Sequence, residues 1–282
     1  MAAIKLTPDE FHLLRDAIEE VSAIRVGSGK TYLIESRLSS LLKEYDCASY
    51  QDLYYKLKNS PNSGLRAKVI DAMSTQETLW FRDTHPYKIF GEKLLPEYAN
   101  DVQERKRSKI RIWSAASSTG QEPYSLAMVI LDKLKTDSTL KPYMFEILAT
   151  DIASSAIDVA KGGLYDRMAM GRGLPASYRS QHFTDDGRYA RISDEVRKFV
   201  TFKQFNLMDS FASIGKYDLV LCRNVAIYFS DEFKRELYRK ITKVLLPGGH
   251  LILGASESIS AHSSDYNLLD YNRGLYYRVK SA

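Results

Sequence analysis

Residues 115–122 read Ala-Ala-Ser-Ser-Thr-Gly-Gln-Glu and directly follow a predicted strand at 110–113. Small side chains let a backbone pass close beneath a ligand, and in an open parallel sheet ligands bind beyond the carboxyl ends of the strands. The segment matches neither G-x-G-x-x-G nor G-x-x-x-x-G-K-[ST]. Glu122 would also repel a phosphate at the start of the following helix. These residues therefore disfavour a dinucleotide or a triphosphate as the ligand.

Asp151 follows the second predicted strand, at 145–150. A carboxylate here can accept hydrogen bonds from both hydroxyls of a ribose. The alternative interpretation of Asp151 is the N-cap of the next helix. Asn206, with Leu207 beside it, can offer both a donor and an acceptor to an adenine edge. A nucleoside without phosphates indicates S-adenosylmethionine as the ligand.

The sequence CRNVAIYF occupies residues 222–229, at the end of a strand predicted at 217–222. In a protein that binds S-adenosylmethionine, the sulfonium that carries the methyl group should lie near this segment. Enzymes that methylate nucleobase amines commonly carry Asn/Asp-Pro-Pro-Tyr here, and the absence of this tetrad speaks against such a substrate. Tyr228 could serve the chemistry or pack in the core, and composition alone favours neither.

An alternation of strands and helices must position these residues. Strands are predicted at 110–113, 145–150, 217–222 and 250–253, and helices at 122–134, 152–160 and 232–245. This alternation is typical of an α/β fold with a parallel sheet and crossover helices. Between residues 162 and 205 the alternation lapses. Short alternating pieces at 189–192 and 199–202 predict a small antiparallel insertion there.

The first hundred residues predict helices. Thr7, Pro8 and Glu10 are typical of a helix start, with Thr as the N-cap and Glu reaching back to it. Apolar stripes at helical spacing predict further helices near 34–45, 49–57 and 65–73, and another helical stretch follows at 86–100. The sequence NSPNSG at 59–64 predicts a turn. The charged run at 103–109 has no apolar period and is interpreted as a solvated connector.

Composition narrows the possible classes of protein. A chain of 282 residues with 44% hydrophobic and 27% charged side chains is typical of a globular protein. Cys47 and Cys222 lack the spacing of metal ligands, so we expect no metal site and a cytoplasmic protein with reduced thiols. No apolar run reaches the roughly 18 residues of a membrane helix, and we expect no membrane insertion and no signal peptide. The net charge of +5, concentrated in 21–70 and 161–203, suits an acidic partner or a solvated helix face.

Four motifs together resemble the CheR family of bacterial chemotaxis receptor methyltransferases: STQETLWFR at 74–82, SAASSTGQEPYS at 114–125, ATDI at 149–152 and CRNVAIYF at 222–229. The resemblance implies a class I methyltransferase with a Rossmann-like doubly wound sheet, an all-α N-terminal domain and a small antiparallel β-subdomain insertion. The implied divisions are a helical domain at 1–90, a linker helix and connector at 91–108, and the S-adenosylmethionine-dependent domain at 109–282 with its insertion at about 163–203. The implied reaction methylates glutamate side chains on the cytoplasmic signalling domain of chemoreceptors, giving glutamate 5-O-methyl esters and S-adenosylhomocysteine.

The resemblance also implies roles for individual residues. Arg82 and Tyr228 are the implied catalytic pair. The implied cofactor contacts are Gln76, Thr78, Arg82, Glu122, Asp151, Asn206, Leu207, Cys222, Arg223 and Asn224. Gln76 stands where the family often has Asn, and Gln121 where it often has an acidic residue. The loop at 185–188 is shorter than in members that dock onto a pentapeptide tethered at the receptor C-terminus, which speaks against such docking here.

The chemistry of a glutamate substrate needs no general base, because its carboxyl, with an unperturbed pKa of about 4.3, is already an anion at neutral pH. We expect Arg82 to steer the cofactor and the anionic side chain, and Tyr228 to aim the acceptor. Four basic residues, Arg37, Lys43, Lys56 and Lys58, are expected to meet the acidic receptor helices. The alternatives are a nucleic-acid methyltransferase, a catalytically silent module that binds S-adenosylmethionine, and a dehydrogenase. The interpretation as a receptor methyltransferase, with no nucleic-acid partner, is preferred.

Overall fold

The computed structural model describes residues 4–59 and 64–280. The α-helices are α1 Pro8–Ser22, α2 Thr31–Glu44, α3 Tyr50–Asn59, α4 Leu65–Met73, α5 His85–Lys88, α6 Leu95–Gln103, α7 Gln121–Thr136, α8 Ser154–Gly162, α9 Arg167–Met170, α10 Ala176–His182, α11 Asp194–Arg197 and α12 Asp231–Val244. The strands are β1 Ile110–Ala115, β2 Phe145–Asp151, β3 Leu164–Asp166, β4 Phe183–Asp186, β5 Tyr189–Ile192, β6 Val200–Gln204, β7 Tyr217–Cys222, β8 Leu245–Leu253, β9 Tyr266–Tyr271 and β10 Gly274–Val279. A π-helical segment, Ile89–Leu94, joins α5 to α6. The turn predicted at 59–64 falls mainly on residues 60–63, which lie outside the described residues.

Helices α1–α4 form a helical unit with a core of their own. The predicted start of α1 is confirmed: the Glu10 N–H donates to Thr7 Oγ1 at 3.3 Å, and the Thr7 N–H donates to the Glu10 carboxylate at 2.9 Å. Leu14, Ile34 and Leu38 on the predicted stripes are fully buried. Each such burial contributes roughly 1.5–3 kcal/mol, so packing rather than propensity stabilises these short helices.

A seven-stranded sheet forms the centre of the remaining chain, in the order β6-β2-β1-β7-β8-β10-β9. Its strands run parallel, except that β10 is antiparallel to β8 and β9. Helices α6 and α7 pack on one face of the sheet and α12 on the other. Strand order reverses between β1 and β7, because the chain builds β2 on one side of β1 and β7 on the other. The carboxyl ends of these two strands are therefore where this fold places a ligand.

The predicted antiparallel insertion is present as a separate three-stranded sheet in the order β3-β5-β4. Gly187, with φ of +63°, and Arg188 form the turn between β4 and β5. Residues 199–202 were assigned to this insertion, and that prediction is wrong. Most of them belong to β6, which pairs in parallel with β2 at the edge of the main sheet. A short alternating segment carries no signal of which sheet it joins, since that depends on its tertiary partner.

The chain passes from the core of the helical unit to the core on the main sheet between Met73 and Trp80. Met73 belongs to the core of the helical unit, whereas Trp80, Tyr87 and Phe90 are buried against the main sheet. The sequence-based domain boundary at residue 90 falls inside this second core. Sequence patterns also did not predict the C-terminal hairpin of β9 and β10. Within the described residues, no helix is both long and apolar enough to cross a bilayer.

Candidate functional site

A cavity of about 300 Å³ opens at the carboxyl ends of β1, β2 and β7, where the helical unit meets the main sheet. Pockets that bind small ligands commonly have volumes of about 300–1,000 Å³. The cavity is lined by almost every residue that the sequence predicted for the site. These lining residues are Gln76, Thr78, Arg82, Glu122, Asp151, Asn206, Leu207, Arg223, Asn224 and Tyr228.

Cys222 is the predicted site residue that does not line the cavity. It is the last residue of β7 and is fully buried in the core beneath α12. Burial raises the pKa of its thiol well above the ordinary value. Strand residues alternate between the two faces of a sheet, and this alternation places the thiol in the core. A cofactor contact from the Cys222 side chain is therefore not supported.

The cavity walls contain several residues in the left-handed backbone region. Ala116, Ser118 and Asn224 have φ values of +58°, +49° and +57°, and Phe81 and Asp83 beside Arg82 have +49° and +66°. Each such conformation costs about 1–3 kcal/mol in a residue other than glycine and persists only where the surroundings enforce it. Strain of this kind clusters at functional sites. The loops after β1 and β7 thus show an independent signature of a binding site.

Asp151 organises the loop after β1. Its Oδ2 accepts the Ser118 N–H at 2.8 Å and its Oδ1 accepts the Ala153 N–H at 3.0 Å. Burial raises the pKa of Asp151, although these two N–H groups and the Gln76 side chain lower it in part. Asp151 therefore holds the loops after β1 and β2 together and also borders the cavity. Its carboxylate can thus cap backbone N–H groups and face a ligand at the same time.

Polar atoms without partners mark the same wall. Among the described residues, Gln76 Oε1, Ser117 Oγ and Ser118 Oγ are buried and have no hydrogen-bond partner. All three residues line the cavity beside Asp151. Buried polar atoms without partners are rare, since each costs about 1–3 kcal/mol. A ligand rich in hydroxyl and amino groups, such as an adenosyl compound, fits this wall.

A buried ion pair connects β7 to the start of α7. The Arg223 guanidinium donates to Glu122 Oε2 at 2.7 Å and to Asp83 Oδ2 at 2.9 Å, and it also donates to the Arg82 carbonyl at 2.8 Å. Glu122 Oε1 accepts the Ser114 hydroxyl at 2.7 Å. Burial alone would lower the pKa of Arg223, but Glu122 raises it above the ordinary value. Arg223 therefore fixes the segment that presents Arg82 to the cavity.

The two predicted catalytic residues come from different segments of the chain. Arg82 lies after the helical unit and is half-buried, with its guanidinium donating to the Glu77 carbonyl at 2.9 Å. Tyr228 follows β7 in a short 3-10 turn, and its side chain is also half-buried. Both line the cavity, although they are 146 positions apart in the sequence. The fold therefore brings the predicted pair to one site.

Two hydrogen bonds attach the helical unit to the rim of the cavity. Asn206 Nδ2 donates to the Val21 carbonyl at 2.9 Å, and the Arg25 N–H donates to the Tyr228 carbonyl at 2.9 Å. Asn206 Oδ1 also accepts the Met208 N–H at 3.0 Å. The amide predicted to face adenine thus already bonds to backbone at both ends. Its main effect in the structure is to hold the helical unit beside the site.

Three of the four basic residues expected to meet a partner are used inside the helical unit. Arg37 donates to the Met73 carbonyl at 2.7 Å, Lys56 donates to the Tyr45 carbonyl, and Lys58 pairs with Glu20. In the described part of the chain, the Lys43 side chain has no such partner. The Arg37 guanidinium stabilises the end of α4 and the segment leading to Gln76, so a docking role for Arg37 stays a prediction.

Sheet order and site together define the class: a Rossmann-like class I methyltransferase with an all-α N-terminal unit. A family model described as "CheR methyltransferase, SAM binding domain" matches residues 76–275, and "CheR methyltransferase, all-alpha domain" matches 9–74. The "Chemotaxis protein methyltransferase" of Vibrio parahaemolyticus is 42% identical over 99% of this chain and 100% of that protein. "Chemotaxis protein methyltransferase 1" of Pseudomonas aeruginosa is 42% identical over 96% of this chain and 98% of that protein. The chain belongs to the CheR family of chemotaxis methyltransferases, and its cofactor is S-adenosylmethionine.

Sequence reasoning missed residues that shape the site. Asp83 pairs with Arg223, and Ser117 contributes a hydroxyl to the cavity wall. Asp83 directly follows the motif at 74–82, and Ser117 lies within the motif at 114–125, so the motifs themselves were the available signal. Glu257 also holds the loop after β7, and no local pattern pointed to it.

Proposed function

We propose that this methyltransferase transfers a methyl group from S-adenosylmethionine to glutamate side chains on the cytoplasmic signalling domain of chemoreceptors. The products are glutamate 5-O-methyl esters, which serve chemotactic adaptation, and S-adenosylhomocysteine. The names of the relatives, chemotaxis protein methyltransferases, support the partner. The chemistry of the cavity supports the acceptor.

The observation that carries the proposal is that the cavity offers no available general base. Its lining, within the described residues, contains no histidine. Its three carboxylates are engaged, because Glu122 pairs with Arg223, Glu77 pairs with Arg172, and Asp151 accepts two backbone N–H groups. A methyl acceptor that must lose a proton, such as an amine or a hydroxyl, would lack assistance here. A carboxylate is already ionised at neutral pH, with a pKa of about 4.3.

Orientation is then the main contribution of the chain. The bound cofactor supplies an electrophilic methyl group on a sulfonium. Arg82 has a planar fork of donors that can hold a carboxylate in one orientation. Tyr228, which also lines the cavity, can donate a hydrogen bond to the acceptor or pack against it. Residues of the helical unit line one side of the cavity, and this cover should limit the access of water to the nucleophile.

The rim of the cavity favours an acidic helix as the docking partner. Arg25 and Lys30 are exposed on the rim, beside the exposed ring of Tyr32. Their attraction to receptor carboxylates should weaken with salt, since the Debye length at 0.15 M ionic strength is about 8 Å. The two-residue turn between β4 and β5 supports methylation that does not need a tethered C-terminal pentapeptide.

Methyl transfer from labelled cofactor to receptor cytoplasmic fragments tests this function. Equal rates are expected for fragments with and without their C-terminal tails, and no transfer to RNA. The Arg25→Ala/Lys30→Ala double variant should raise KM for the receptor about fivefold at low salt, as expected for two exposed ion pairs. Lys58→Ala is the matched control: Lys58 pairs with Glu20 as Arg25 pairs with Glu19, but Lys58 does not line the cavity. Transfer to RNA, or an equal change in KM for the control, would contradict the proposal.

A further inference from the structure

Glu257 lies beyond β8 and binds the backbone of two loops at once. Its Oε2 accepts the Asn224 N–H at 2.7 Å and the Gly254 N–H at 2.8 Å. Its Oε1 accepts the Val225 N–H at 3.1 Å and the Ile227 N–H at 3.3 Å. One carboxylate therefore takes up four backbone donors. Hydrogen bonds to an ionised acceptor are about twice as strong as neutral ones.

Three of the four donors belong to the post-β7 loop, residues 223–229. This loop carries Asn224 and Tyr228 into the cavity. Asn224 has φ of +57°, a left-handed conformation that asparagine adopts more readily than other residues with a side chain. The bonds from Glu257 to Asn224 and Val225 hold the backbone in that conformation. The loop is also held at its first residue by the ion pairs of Arg223, and near its end by one hydrogen bond from the Arg25 N–H to the Tyr228 carbonyl.

Gly254, directly after β8, supplies the fourth N–H group that Glu257 accepts. A Cβ atom at Gly254 would lie 2.7 Å from Glu257 Oε2 and 2.8 Å from Asn224 Nδ2. Both distances are too short for a carbon atom. The absence of a side chain at 254 thus allows the carboxylate to reach both loops. Glu257 and Gly254 therefore fix the position of the post-β7 loop together: Glu257 accepts its N–H groups, and Gly254 leaves room for the carboxylate.

We infer that Glu257 is a positioning residue for methyl transfer: its carboxylate fixes the post-β7 loop so that Tyr228 faces the acceptor. The inference rests on the proposed function, since it assigns Tyr228 to the acceptor side. Glu257 does not line the cavity and acts through the loop. A misplacement of about 1 Å in a reacting site can cost roughly a hundredfold in rate. Loss of the carboxylate should therefore lower kcat more than it weakens cofactor binding.

Glu257→Gln is the first test, because the amide keeps the length of the side chain but turns two hydrogens toward backbone donors. We expect kcat, counted per site that binds S-adenosylhomocysteine, to fall roughly 10- to 100-fold. KM for S-adenosylmethionine should change by less than about threefold, since Asp151 and its neighbours are untouched and Asn224 is the one implied cofactor contact that Glu257 holds. Gly254→Ala, which leaves the charge in place, should produce the same split. Glu232→Gln, exposed on the first turn of α12, is the matched control and should behave as wild type.

Hydrogen exchange separates failure of this inference from failure of the proposed function. The amides of Asn224, Val225, Ile227 and Gly254 should exchange at least about tenfold faster in Glu257→Gln, whatever the methyl acceptor is. If wild type methylates no receptor glutamate but these amides respond, the proposed function fails and the loop anchor stands. A kcat per binding site within twofold of wild type, in either variant of an active enzyme, would overturn the positioning role. So would unchanged exchange at the four amides.

Discussion

Replacing Arg223 with methionine should destabilise the fold more than replacing Arg223 and Glu122 together. The Arg223 side chain is 2% exposed, and that of Glu122 is 11% exposed. In the Arg223→Met variant, Glu122 keeps a buried charge whose partner is gone. Breaking a buried pair in this way costs about 3–5 kcal/mol of unfolding free energy. The loss of the Asp83 pair adds less to the destabilisation, because the Asp83 side chain is 33% exposed and water can solvate it.

The double variant Glu122→Gln/Arg223→Met removes the unpaired charge. Gln keeps an acceptor for the Ser114 hydroxyl, which lies 2.7 Å from Glu122 Oε1. About 2 kcal/mol of the loss should therefore be recovered, within the range of about 0.5–3 kcal/mol for coupled residues in contact. The Arg82 carbonyl still loses its donor, so recovery should be incomplete.

Urea unfolding of wild type, the two single variants and the double variant measures the coupling as a double-mutant cycle. Equal m-values across the four proteins are the control that the unfolded states are comparable. If the changes in unfolding free energy of the two single variants add up to that of the double variant within about 0.5 kcal/mol, Arg223 and Glu122 are not coupled and the prediction is wrong. The same holds if Arg223→Met alone destabilises by less than about 1 kcal/mol.

Three further predictions concern catalysis, the cofactor and pH. Arg82→Ala should lower kcat roughly 100-fold or more without unfolding, since among the described residues its guanidinium makes one hydrogen bond, to the Glu77 carbonyl; a near-normal rate would remove its role. Asp151→Asn should weaken the calorimetric Kd for S-adenosylhomocysteine about tenfold or more, and an unchanged Kd would contradict the ribose assignment. Burial lowers the pKa of His250 to about 4; the native state therefore resists its protonation. Unfolding free energy should fall by up to about 3 kcal/mol from pH 6.5 to 4 on this account, and His250→Asn should have a shallower pH profile than wild type.

Local sequence signals predicted the parts of the fold that local chemistry decides. The Thr7-to-Glu10 capping box is complete within four residues, and it formed as expected. β7 occupies the predicted residues, because a short apolar run bounded by polar residues is typical of a buried strand. The site was predictable because carboxyl ends of neighbouring parallel strands meet at one edge of a sheet. Loops after β1, β2 and β7 therefore had to share the cavity.

Contacts between distant segments account for what was missed. Arg37 has the charge of a docking residue, but its partner, the Met73 carbonyl, lies 36 positions away. The Asn206 amide meets the Val21 carbonyl across 185 positions, which no motif encodes. Cys222 sits in a motif, yet the alternation of β7 directs its side chain into the core. Residue identity alone thus located the site but not the direction of each side chain.

The chemical form of the transferred methyl group distinguishes a carboxylate acceptor from an amine or a hydroxyl. A carboxylate acceptor gives an ester, which alkali hydrolyses to methanol, whereas methylated amines and ethers survive the same treatment. With tritiated cofactor and a receptor cytoplasmic fragment, the account predicts label that alkali releases as volatile methanol. Before this treatment, mass spectrometry should place the methyl group on glutamate. Alkali-stable label on the receptor, or no transfer by a preparation that binds S-adenosylhomocysteine, would contradict it.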